Sequence, residues 1–235
     1  MKKWLIIVIG CMFILQGCSS AGGGNEGSAN NQGGETDTMN EQLLQAAQQK
    51  DSAALKRLIE EGADLNVQDA KGRTAAMIAT YNNDVQSVRV LVEAGADVNM
   101  RDDMRNTPFL YAGAEGYLDI LRLTIQAGAD PAITNRYGGT ALIPASEHGY
   151  TEVVKELLTK TEIDVDHVNN LGWTALLESI ILNNGNTKQQ DTLRLLIEHG
   201  ADVNLADSEG VTPLQHARGK GLKEMEQILL QAGAK

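Results

Sequence analysis

The chain has 235 residues and a formal charge of −11, a balance that repels phosphate and excludes nucleic acid as an expected partner. With 42% hydrophobic residues and only 4 Pro, it belongs to neither the wholly disordered nor the collagen-like class. Both cysteines, Cys11 and Cys18, lie near the amino terminus, so neither a disulfide nor a cysteine-based metal site is expected in the rest.

Lys2 and Lys3 precede an apolar run from Trp4 to Leu15, the charged and apolar regions of a secretory signal. The run falls short of the about 20 residues that span a bilayer; an uncleaved signal anchor is the alternative. The following Leu15-Gln16-Gly17-Cys18 resembles the lipobox of bacterial lipoproteins, with Gln16 departing from the usual small or aliphatic residue. That resemblance implies a signal peptide over 1–17, lipidation of Cys18, and a membrane-anchored protein in the bacterial cell envelope, facing outside the cytoplasm. Val8-Ile9-Gly10-Cys11 fits the same pattern but leaves too short an apolar run before it. Cleavage would remove two cations and take the charge from −11 to −13. Residues 18–38 then read as the lipidated Cys and a flexible tether rich in Gly, Ser and Asn, spanning roughly 25 Å root-mean-square.

From residue 39 the chain repeats. Thr74, Thr107, Thr140, Thr174 and Thr212 are equivalent, and Gly62, Gly95, Gly128, Gly200 and Gly233 keep the same phase. A period near 33 residues signals a solenoid whose units bury their faces against one another. Triplets such as Leu55/Leu58/Ile59, Val88/Leu91/Val92 and Leu193/Leu196/Ile197 mark one buried helix face per module. The marker glycine stops that helix, and the Thr caps a second, Ala-rich one. About six modules are expected, over 39–68, 69–101, 102–134, 135–168, 169–206 and 207–235. The last carries Glu226 in an apolar slot, as a terminal cap should, and Leu229 is expected to be partly wet. Extra residues in the fifth module, Asn183 to Gln190, are expected to form a loop. Pro144 is expected to kink the first turn of its helix.

Thr107-Pro108-Phe109, Thr212-Pro213-Leu214-Gln215-His216-Ala217 and Gly200-Ala201-Asp202-Val203-Asn204 resemble the ankyrin repeat. The resemblance implies an all-α repeat solenoid in which a β-hairpin finger precedes two antiparallel helices. The family's usual His is replaced by Met77, Leu110, Ile143, Leu177 and Gln215.

Chemistry is sparse. His148, His167, His199 and His216 form no pair at i, i+4, so no metal, cofactor or catalytic residue is expected. Recognition remains. The residue before the turn-glycine position reads Lys71, Met104, Tyr137, Leu171 and Glu209, apolar in the three middle modules, with Trp173 two residues beyond Leu171. The family commonly binds through fingertips and inner helices, so Met104, Tyr137, Leu171 and Trp173, together with Tyr81, Tyr111, Glu115, Glu147 and His148 on the concave face, are the expected partner contacts. Glu178 belongs to that face as a partly buried member. The expectation is a monomeric, non-catalytic scaffold for an unidentified protein partner, attached to a membrane through its lipid. The alternative is an enzyme or small-ligand protein using the concave groove.

Overall fold

A computed structural model describes residues 31–235, with side chains from residue 36. The signal peptide over 1–17, the lipidation residue Cys18 and the tether up to residue 30 lie outside the described residues. Twelve helices follow in six pairs: α1 (Asn31–Gln49) and α2 (Ser52–Glu60), α3 (Ala75–Tyr81) and α4 (Val85–Glu93), α5 (Pro108–Glu115) and α6 (Leu118–Gln126), α7 (Leu142–Glu147) and α8 (Thr151–Lys160), α9 (Ala175–Ile181) and α10 (Thr187–Glu198), α11 (Pro213–Gly219) and α12 (Lys223–Gln231). First helices stack on first helices (α3 on α5, α5 on α7, α7 on α9, α9 on α11), and second on second. The described residues contain no strand. The expected β-hairpin fingers are therefore tight turns, too short for a ladder.

The tether expected to reach residue 38 ends sooner, because α1 begins at Asn31. Leu43, Ala46 and Ala47 are buried and Met39 packs against them; once that segment is nucleated, each added residue closes a hydrogen bond without a new nucleus. In the fifth module the extra residues are not all loop. Asn186 accepts from the N–H groups of Lys188 and Gln189 and starts α10 early, so only the segment before it connects the helices.

Thr74, Thr107, Thr174 and Thr212 cap their helices, each accepting from the N–H three residues on. Thr140 does not. In the other modules the Thr carbonyl accepts from Ile78, Tyr111, Glu178 or His216, and the equivalent residue here is Pro144, which has no N–H. The Thr140 carbonyl instead takes the Ile143 N–H at 3.3 Å. Its Oγ1 is left buried without a hydrogen-bond partner among the described residues. Helix exits are more uniform: the marker glycines hold φ between 82° and 95°, the left-handed stop that a side chain resists. The fourth module has the extended Thr161 there.

The core is continuous from Leu43 to Ala234. At Gly113 a Cβ would lie 2.8 Å from Ala141 Cβ, so α5 and α7 approach as closely as they do because residue 113 has no side chain. Leu229 corrects an expectation. It is fully buried, and Leu230 is the wet neighbour, since α12 turns its i and i+4 residues onto α10. Glu226 fits its slot by accepting from Arg218 Nε at 2.7 Å.

Successive modules are tied by polar bonds. Oδ1 of Asn66, Asn99, Asp166 and Asn204 accepts the backbone N–H of Asp97, Asp130, Asp202 and Lys235 respectively, and within the first module Asn40 Oδ1 does the same for Asp64. Ala132 occupies the position of Asn66 and Asn99 and has nothing to offer Asp164. Across the same gap, nearer the fingertip, a ring nitrogen of His167 lies 2.7 Å from the Gly138 carbonyl.

Candidate partner-binding groove

Each fingertip is positioned by one side chain. Oδ1 of Asp69, Asp102, Asn135, Asn169 and Asp207 accepts two backbone N–H groups, from the tip residue and from the residue two beyond it: Lys71 and Arg73, Met104 and Asn106, Tyr137 and Gly139, Leu171 and Trp173, Glu209 and Val211. This Asx turn needs an acceptor of short reach and little else. After the tip the chain turns through a left-handed residue, Arg105 in the third module and glycine in the others. At Gly138 a Cβ would lie 2.3 Å from Asn170 Oδ1 of the next finger, so successive fingers touch. The backbone bonds Asp103 N–H to Lys71 O and Asn170 N–H to Tyr137 O join them.

Behind the middle fingertips runs a groove of about 640 Å³. Its rim holds Met104, Tyr137 and Leu171, exposed at 47%, 56% and 56%. Arg136 binds two of these tips together: it stacks on the Tyr137 ring at 4.7 Å, donates to the Tyr137 hydroxyl at 2.8 Å and reaches Met104 Sδ at 3.5 Å. Inner helices supply Tyr81, Tyr111, Glu115, Ile143, Pro144, Glu147 and Glu178. Seven of the nine expected contacts thus meet in one concavity.

The tyrosines are fixed rather than free. Tyr81 donates to Asp102 Oδ2 at 2.5 Å and accepts from Asn106 Nδ2 at 3.0 Å, which ties the second module to the third finger. Burial, reinforced by the Asp102 carboxylate, pushes its hydroxyl up to about 12. Tyr111 packs edge-on against Tyr81 with centroids 4.4 Å apart, and burial together with the Glu115 charge raises its ionisation too. Glu178 is 6% exposed and accepts from Asn169 Nδ2 at 2.7 Å. Burial and the nearby charge of Glu147 push it up to about 7, against the opposing effect of the Asn169 bond. A carboxyl titrating near neutrality is also a chemical group to test, but the described residues bring no His, Cys or acid cluster of metal-binding type to it or anywhere else.

Two expected contacts lie off the groove. Trp173 is partly buried and lines no part of it, while His148 is exposed at the end of α7 with its ring 5.4 Å from Tyr150. Arg136, Asn169 and Leu182 line the groove and were not singled out from sequence. A signal for Asn169 exists, since Asp or Asn recurs two residues before every fingertip.

The family model for ankyrin repeats matches residues 43–135, 114–188 and 142–235. This chain belongs to the ankyrin repeat family. Its repeats are those of a class that generally serves as protein–protein interaction modules. The crystal structure of an ankyrin repeat domain from Acinetobacter baumannii AYE is similar at 51% identity and TM-score 0.80, over 82% of this chain and 98% of that one. The ankyrin repeat domain of Bcl-3, a member of the IkappaB protein family, is similar at 28% identity and TM-score 0.74, over 83% and 86%. The putative ankyrin repeat protein YahD of Escherichia coli (strain K12) is 54% identical over 82 residues, 35% of this chain and 41% of that protein. The chain thus spans less than half the length of that curated relative.

Proposed function

We propose that the protein is a non-catalytic scaffold, held as a lipoprotein on the outer side of a bacterial membrane, that captures a protein partner in the groove behind its middle fingertips. The observation that carries the reading is the row Met104, Tyr137 and Leu171: large, half-exposed apolar groups, one per module, on a rigid turn and facing a concavity. Isolated exposed apolar residues are ordinary, whereas a contiguous row beside a groove marks an interface. The membrane address is supported by the Lys2 to Cys18 pattern.

Two measurements test it. Tyr137→Ala and Leu171→Ala should each lower affinity for a captured envelope protein by about 2 kcal/mol, as hot-spot truncations do, with Lys71→Ala and Glu209→Ala nearly neutral. Full affinity in the apolar variants would remove the groove from the account. For the anchor, Cys18→Ser should release the protein from the membrane fraction or leave it unprocessed, while Cys11→Ser should do little; equal retention of both would refute lipidation at Cys18.

A further inference from the structure

The groove has two sides of different chemistry. Its rim is apolar. Its inner wall carries Glu115, Glu147 and Glu178, none of which enters an ion pair with Lys or Arg among the described residues, although acids elsewhere do: Asp69 with Arg73, Glu156 with Arg122 and Glu226 with Arg218. Arg136, the cation that lines the groove, is spent on the rim against Tyr137 and Met104 instead of neutralising the wall. Burial raises the Glu178 carboxyl, and the Glu147 charge, with no cation between the two, adds to it.

Resting on the groove reading above, we propose that the occupant is an extended, cationic segment of another protein, its apolar side chains covering Met104, Tyr137 and Leu171 and its Lys or Arg side chains meeting Glu115, Glu147 and Glu178. Length and period agree. Three fingers span two module spacings of about 10 Å each, and about 20 Å holds roughly six residues of extended chain at about 3.3 Å apiece. Successive side chains of such a chain point to opposite faces, so an alternating apolar and basic sequence presents one kind to the rim and the other to the wall. The net charge of −11 draws such a segment in.

The test uses the full chain and three fluorescein-labelled decapeptides. Leucine and alanine take turns at every second position, and the positions between are all lysine, all glutamine or all glutamate. Fluorescence anisotropy should show the lysine peptide binding at least about tenfold tighter than the glutamate peptide, with the advantage shrinking as salt is added. Glu147→Gln and Glu115→Gln should each weaken the lysine peptide severalfold and leave the glutamine peptide unchanged. No binding of the lysine peptide, or equal binding of all three, overturns the cationic occupant. If the glutamine peptide binds as tightly as the lysine peptide and both are lost in Tyr137→Ala, the groove stands and only its charge preference is wrong. If the lysine peptide binds undiminished by Tyr137→Ala, Leu171→Ala and the Gln variants, it sits elsewhere and the groove reading falls with it.

Discussion

Glu178 and His216 occupy the same position in successive modules, four residues after the capping Thr, and each reaches back 2.7 Å to the Asx residue of its own finger. In the fifth module the pair is an acid on the Asn169 amide, beside a second acid and below an apolar fingertip. In the sixth it is a base on the Asp207 acid, below the charged tip Glu209, and the nearby Glu226 is matched by Arg218. Near the end of the solenoid Asp207 and Glu226 each find a partner within the chain; in the middle Glu115 and Glu147 enter no ion pair among the described residues, and the apolar tips stay uncovered. The lesson is that the architecture is indifferent to what it presents, so a departure from self-sufficiency marks where something else belongs.

That contrast can be broken first at the core. Leu157 in α8 and Leu229 in α12 are both fully buried, and truncation to Ala should cost roughly 2 to 5 kcal/mol at either site. Chemical denaturation showing a clear excess at Leu157 would mean that position along the solenoid, not burial alone, sets the loss.

Glycine packing sharpens the comparison. Gly113→Ala forces a Cβ onto Ala141 and should destabilise by about 1 to 3 kcal/mol. Gly219→Ala, in α11 with nothing within 4 Å of its new methyl, should be neutral or stabilise by up to about 1 kcal/mol. Thermal melts of both variants check the opposite signs.

The carboxyls give a pH signature. Burial, with the Glu147 charge, pushes Glu178 up to about 7 in the folded protein from an ordinary 4.5 when unfolded, so the folded state holds the extra proton between those values. Stability from this group is intact below about pH 4.5 and lost as pH rises to about 7, by roughly 3 kcal/mol at most. Glu178→Gln keeps an acceptor for Asn169, so it should be the more stable protein at pH 8, with the difference vanishing at pH 4. Asp207 has the reverse sign. The Val211 N–H, opposed by desolvation and aided by His216, holds it below the ordinary carboxylate range, so its contribution is lost only as pH falls through that lowered value. Urea titrations across pH on the variant and parent separate the two.

The smallest effect concerns the seam. Ala132→Asn should supply the missing acceptor for the Asp164 N–H and add about 0.5 to 1 kcal/mol. No gain would show that His167 already closes that gap.

The period was legible because two demands recur that few residues meet: an oxygen at Thr74, Thr107, Thr174 and Thr212 to accept an N–H, and no side chain at the left-handed stops. The rim was legible for the same reason, as the tip stands in fixed register with its turn. Trp173 and His148 stand off the groove because register says which segment a residue occupies, not where its side chain points. Thr140 shows a cap undone by a proline four residues away, an effect readable only once the carbonyl's usual donor is known. Leu229 was misjudged because the last module has no outer neighbour but still has an inner one.

The Asx turn has a consequence for how such a protein changes over generations. Its acceptor and backbone donors hold the loop whatever side chain stands at the tip, and five different residues stand there now: Lys71, Met104, Tyr137, Leu171 and Glu209. Specificity and foldability are therefore written in separate letters. A lineage, or an engineer, can rewrite the tips one codon at a time and present a new surface without reopening the question of whether the chain folds.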